Sequence, residues 1–220
     1  MNGQLGAADS QGLHFLGIMT ASISHELKNA LAIINENAGL LGDLALLAEK
    51  GRPLDPERLK TRAEKIRQQV QRADDIIRRL NRFAHSAHEG AASTDVREVF
   101  EFTVALANRL AAMKSISLTV EPGTPVQLEV RPFQLENLLW LCLQQVFALA
   151  AANQSVVFAA VDAGADVVLS LHCSGVPVAE IAATVEREGQ PLLKVLQASL
   201  QAEAGALRLT IPKKAGQSAN

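Results

Sequence analysis

The 220-residue sequence predicts an α+β protein: an antiparallel helical hairpin that pairs with a second copy into a four-helix bundle, followed by a small two-layer α/β sandwich. Three observations carry this expectation. Apolar residues recur at 4-3 spacing along two long segments before residue 86, a short Gly/Pro-rich break divides those segments, and after residue 94 strand-like alternation mixes with amphipathic helical runs. The expected organisation is a flexible N-terminus over 1–12, the hairpin over 13–86, the mixed domain over 94–212 and a flexible tail over 213–220.

In the first segment, positions 16, 20, 23, 27, 30, 34, 37, 41, 44 and 48 read Leu, Thr, Ile, Leu, Ala, Ile, Asn, Leu, Leu, Ala. In the second, positions 59, 63, 66, 70, 73, 77, 80 and 84 read Leu, Ala, Ile, Val, Ala, Ile, Leu, Ala. Gly51, Pro53 and Pro56 break the chain between them. Asp55-Pro56-Glu57 then supplies an N-cap, a proline at the first helical position and an acid at the positive end of the dipole. Stripes this long are not covered within one two-helix unit. A homodimer is the expected remedy.

Residues 86–93 read as a small, polar linker. Beyond it the expected elements are a helix over Asp95–Lys114, strands over Ser117–Glu121 and Gln127–Val130, and an apolar helix over Pro132–Ala152. A strand hairpin over Ser155–Val161 and Asp166–His172 follows, then helices over Pro177–Glu188 and Pro191–Ala204 and a last strand over Ala206–Ile211.

A formal charge of -2 gives no reason to expect nucleic acid or an anionic membrane as partner. The two cysteines, Cys142 and Cys173, have neither paired nor metal-type spacing, so two buried, inert thiols are expected. No basic-then-apolar leader opens the chain, and its most apolar runs, Leu40–Ala48 and Val146–Ala152, fall short of the ~20 residues a membrane span needs. The expected location is the cytoplasm.

His25 lies two positions from Ile23 and two from Leu27, both on the apolar stripe, so it points about 200° away from each and faces solvent. A neutral imidazole there can attack phosphorus without prior deprotonation. Glu26 adjoins it and can accept a hydrogen bond from the ring N–H. Asn29 follows one turn on, nearly on the same face, where an amide can orient water or a phosphoryl oxygen. His14, His85, His88 and His172 show no metal-type grouping and read as structural or solvent-exposed.

The string Ser24-His25-Glu26-Leu27-Lys28-Asn29-Ala30-Leu31 resembles the H-box of sensor histidine kinases, and the resemblance extends over residues 13–86 to that family's dimerisation and histidine-phosphotransfer domain. It implies that His25 carries the phosphoryl group, Glu26 assists as general base and Asn29 supports phosphatase chemistry. Ala30 stands where the family usually has proline, which implies a straighter helix after the site.

Residues 94–212 are similar in layout to the family's ATPase domain, but its nucleotide ligands are missing. Leu141 and Gln145 occupy the places of two asparagines, the second of which holds Mg²⁺ in the family. Leu171-His172-Cys173-Ser174-Gly175-Val176-Pro177 keeps one glycine and no carboxylate where an Asp-x-Gly-x-Gly turn is usual. Gly189-Gln190-Pro191-Leu192 replaces the glycine-rich phosphate loop with a segment whose proline lacks a donor.

The function this implies is a histidine phosphotransfer protein of a two-component phosphorelay, moving a phosphoryl group between response-regulator receiver aspartates through phospho-His25. No cofactor is expected on this chain, the Mg²⁺ being the receiver's. The expected partners are a second copy, receiver domains and a sensor histidine kinase. A receiver phosphatase, a non-catalytic pseudokinase and an active autokinase are the alternatives left open. Arg58, Lys60, Arg62, Lys65, Arg67, Arg72, Arg78, Arg79 and Arg82 make the second helix basic, as either a solvated face or a docking surface for an acidic receiver pocket.

Overall fold

The computed structural model describes residues 2–213, with side chains from residue 10 onward. Thirteen elements follow one another: α1 (Asn2–Glu49), α2 (Pro56–Ser86), β1 (Ala92–Asp95), α3 (Val96–Met113), β2 (Ser117–Val120), β3 (Gln127–Val130), α4 (Pro132–Leu149), β4 (Ser155–Ala163), β5 (Asp166–Cys173), α5 (Val178–Glu188), α6 (Gln190–Val195), β6 (Ser199–Glu203) and β7 (Ala206–Pro212). They form two compact units, one of residues 18–84 and one of residues 1–17 with 85–220. The boundary therefore falls inside α1.

In the helical unit, α1 stops at a glycine. Gly51 takes a left-handed φ of 81°, its N–H bonds to the Ala48 carbonyl at 2.9 Å, and the Arg52 N–H reaches the Leu47 carbonyl at 3.1 Å. This is the Schellman pattern, which satisfies carbonyls that a helix end leaves open. The second helix starts as its sequence requires, with the Asp55 carboxylate accepting from the Glu57 N–H at 3.0 Å. Two contacts set the antiparallel register. Arg62 donates to the Asn37 amide oxygen at 3.3 Å, and Arg79 pairs with Glu26 at 3.6 Å. Asn37, the polar break in the α1 stripe, is buried but satisfied, its amide also donating to the Ile33 carbonyl at 2.8 Å. A buried polar group of this kind pins register.

Covered positions on α2 differ from the expected stripe. Residues 59, 62, 66, 69, 73, 76, 80 and 83 are buried or half-buried, whereas Ala63, Val70, Ile77 and Ala84 are exposed. The seam is thus shared between neighbouring positions, and a second, seven-spaced apolar line stands uncovered.

The mixed unit holds a five-stranded sheet in the order β2-β4-β5-β7-β6, parallel only between β2 and β4, and a two-stranded antiparallel ribbon of β1 and β3. Period-two alternation builds the inner face. Phe158 stands opposite Leu171 and Leu171 opposite Leu207, while Leu169 faces Leu209 and Leu209 faces Leu200. All but Leu200 are fully buried. Helix α3 packs on β2 and β4, α5 packs on β6 and β7, and α4 lies against α3 and α5. Asp95 caps α3 by accepting from the Arg97 N–H at 2.9 Å. One sheet face is covered and the other left open, as expected for antiparallel pairing.

Four expectations need correction. The flexible N-terminus over 1–12 is helical from Asn2, and Gly12 is buried within 3.1 Å (at an added Cβ) of the Phe133 ring. The helix over Pro191–Ala204 ends at Val195, because Gln197 turns left-handed at φ 51° and the chain continues as edge strand β6. The linker over 86–93 contributes its last two residues to β1. Finally, one window within Ser10–Glu49 is long and apolar enough to cross a membrane by length and composition. The flexible tail expected over 213–220 lies outside the described residues except for Lys213, which pairs with Asp162 and bonds to the Ala165 carbonyl.

Candidate functional site

Helix geometry places His25 as the sequence requires. It is exposed on α1 and makes no hydrogen bond or ion pair, while the flanking Ile23 and Ala30 are buried. Asn29, also exposed and unbonded, stands one turn further on the same side. The imidazole and the amide are therefore displayed together on one wall of the hairpin.

Glu26 is placed differently from expectation. Successive helical residues diverge by about 100°, so it turns away from His25. Its carboxylate is 7% exposed as a residue and faces Arg79 of α2. In this structure Glu26 is a cross-helix tie rather than a base in contact with the imidazole. On the basic helix, Arg67 is bonded to Glu64 at 3.0 Å and Arg78 to Asp74, which holds both guanidinium pKa values up and that of Glu64 down. Those two arginines belong to neutralised pairs on a solvated face.

Residues 15–89 match the family model of the His Kinase A (phospho-acceptor) domain. The hairpin is similar to a phospho-acceptor domain. No curated relative matches the sequence. Among solved structures, the chain is similar to the nucleotide-free catalytic domain of histidine kinase ThkA (13% identity, TM-score 0.49, covering 57% of this chain and 98% of that one). It is similar also to histidine kinase AdeS of Acinetobacter baumannii (13% identity, TM-score 0.47, 86% and 98%). A third likeness is to ThkA solved with response regulator protein TrrA (17% identity, TM-score 0.42, 92% and 63%). Of the three histidines inside the matched segment, His85 and His88 stand at or just past the end of α2. His25 alone is mid-helix.

In the mixed unit, Gly175 and Gly189 serve packing. Gly175 has a left-handed φ of 65°, and a Cβ there would meet the Gln154 amide nitrogen at 2.6 Å, the same nitrogen that donates to its carbonyl. A Cβ on Gly189 would fall 2.7 Å from the Val185 carbonyl oxygen and 2.8 Å from Leu141. This glycine lets α5 close on α4. Leu141 and Gln145 line a cavity of about 550 Å³ with Asn137, Trp140 and Gln144 of α4, Glu188, Leu192 and the α1 residues Ser10, Gln11, His14 and Phe15.

Sequence reasoning named Leu141 and Gln145 but missed the rest of this wall. The chain's single tryptophan, Trp140, was the available signal. No group of three or more His, Cys, Asp or Glu able to hold a metal occurs among the described residues. Cys142 and Cys173 are free and buried, and burial pushes their thiols up to about 12 and about 11.

Proposed function

We propose that the chain is a histidine phosphotransfer protein that passes a phosphoryl group between response-regulator receiver aspartates by way of phospho-His25. The observation that carries this reading is the exposed, unbonded His25 in mid-helix inside a segment matched to a phospho-acceptor domain. An imidazole nitrogen lone pair forms the N–P bond while the P–O bond to the receiver carboxylate breaks, and the imidazolium proton leaves to solvent. The receiver supplies Mg²⁺ and most of the charge stabilisation, and the hairpin supplies position. Asn29 orients the phosphoryl oxygens from the next turn. Glu26, tied to Arg79, holds the helix that presents His25. The place of action is the cytoplasm, where phosphorylated receivers are found.

The residues of the mixed unit do not fit Mg·ATP. No lysine or arginine lines the α4 cavity, its one carboxylate is Glu188, and Leu141 is packed against Gly189 where the family has a ligand. A pseudokinase half that no longer charges its own histidine agrees with transfer from another protein.

A second copy completes the bundle in this reading. Val70 and Ile77 are seven residues apart on α2 and 53% and 43% exposed, and Leu31 and Leu46 on α1 are more than half exposed. Covering such a line is what a homodimer achieves.

The test mixes the purified chain with a receiver charged by acetyl phosphate and follows both proteins on phosphate-affinity gels. Transfer appears as loss of receiver phosphate with gain on the chain, abolished in His25→Ala. If receiver phosphate disappears equally fast with His25→Ala but not with Asn29→Ala, the chain is a phosphatase instead. Phosphorylation from Mg·ATP alone would make it an autokinase.

A further inference from the structure

We propose that the cleft bounded by the start of α1, residues 86–89 and the start of α4 binds a zwitterionic α-amino acid with a large apolar side chain. The cleft encloses about 370 Å³, within the usual range for small-molecule sites, and every residue lining it belongs to the mixed unit. Leu13 and Leu16 of α1, Phe133 of α4 and Leu192 give it an apolar floor. Leu192 is buried whereas Leu13 is 69% exposed, so this floor opens to solvent. The Phe133 ring is braced by Phe15, with ring centres 5.5 Å apart.

Two opposite charges share this lining. Arg131 and Glu89 are both exposed, and neither forms an ion pair or side-chain hydrogen bond with the other or with any described residue. They are the only fixed charges on the lining, His88 being the one other titratable group. A simple anion would meet Arg131 but also the Glu89 carboxylate, and a simple cation the reverse. A zwitterion answers both. Its carboxylate takes the planar fork of Arg131, its ammonium takes Glu89, and its side chain covers the leucines. Helix α4 starts at Arg131 with no side-chain cap, so the positive end of its dipole adds to the arginine. Asn137, on the wall shared with the larger cavity, is 4% exposed, and its amide makes no hydrogen bond to any described residue.

The full chain is titrated in a calorimeter with L-leucine and L-phenylalanine. The N-acetyl derivative of each, which lacks the ammonium, and the amide of each, which lacks the carboxylate, serve as controls. The expected result is saturable binding of at least one amino acid with Kd below about 1 mM, and binding at least tenfold weaker for both of its derivatives. Arg131→Gln and Glu89→Gln, each at an exposed side chain, should weaken the amino acid at least tenfold with the circular dichroism spectrum unchanged. Should a variant unfold, the derivatives measured on the parent chain decide the matter. No saturation by either amino acid, equal affinity for a derivative, or full affinity in a folded variant would overturn the proposal. The readout involves no phosphoryl transfer, so its failure leaves the His25 reading untouched.

Discussion

The Arg79 guanidinium of α2 stands 3.6 Å from the Glu26 carboxylate of α1, one residue after the exposed His25. Glu26 is nearly buried and Arg79 is partly so, which makes this pair more than a surface ornament and less than a desolvated core bridge. Arg79→Ala is expected to cost about 1–2 kcal/mol in urea unfolding, since it strands a mostly buried carboxylate. Adding Glu26→Ala should cost less than the sum of the single changes. Strict additivity would show that the two side chains do not interact.

A Cβ on Gly189 would meet both the Val185 carbonyl oxygen of α5 and the Leu141 side chain of α4. Gly189→Ala should destabilise by about 1–3 kcal/mol, because one of the atoms its Cβ meets is the Val185 backbone oxygen, which cannot step aside. Gly123→Ala, in open space, is the control and should be close to neutral. Equal Tm values for the two variants in thermal melts would refute the packing role.

The uncovered line on α2 sets the expected oligomeric state. The intact chain should scatter light as a dimer, and Val70→Lys combined with Ile77→Lys should halve that mass while leaving helicity in place. A monomeric parent, or a dimer that survives both lysines, would speak against pairing through this face.

Burial of Cys142 and Cys173 raises both thiols above their ordinary value near 9.0. The folded state then holds protons that the unfolded state releases. Their contribution to stability is fully present below pH 9 and is lost as pH climbs toward 11–12. Unfolding midpoints should fall across that alkaline window, and a thiol reagent at pH 8 should label neither cysteine until denaturant is added. Rapid labelling of the folded chain would contradict the burial.

Much of this was written in local pattern. The Schellman end at Gly51, the Asp55 cap, the exposure of His25 and the bounds of β3 follow from spacing and turn chemistry that act over a few residues. The α2 seam was not, because Ile76 and Ile77 are both apolar and either can continue a 4-3 pattern. Strand β6 was hidden for a similar reason: Leu193, Leu196 and Leu200 keep helical spacing across a break made by a left-handed Gln197. Glu26 pointed the wrong way in sequence because its partner, Arg79, lies 53 residues on across the hairpin turn (79 against 26). The cavity was illegible, since it exists only when Gln11 and Phe15 meet a helix that begins at Pro132.

The decisive measurement is the chemistry of the bond on the chain after incubation with a radiolabelled phospho-receiver. Label that acid removes and base leaves, present on the parent and missing from a His25→Ala variant of unchanged stability, is the expected result. Label that persists in His25→Ala, or that arrives from Mg·ATP with no receiver present, would contradict it.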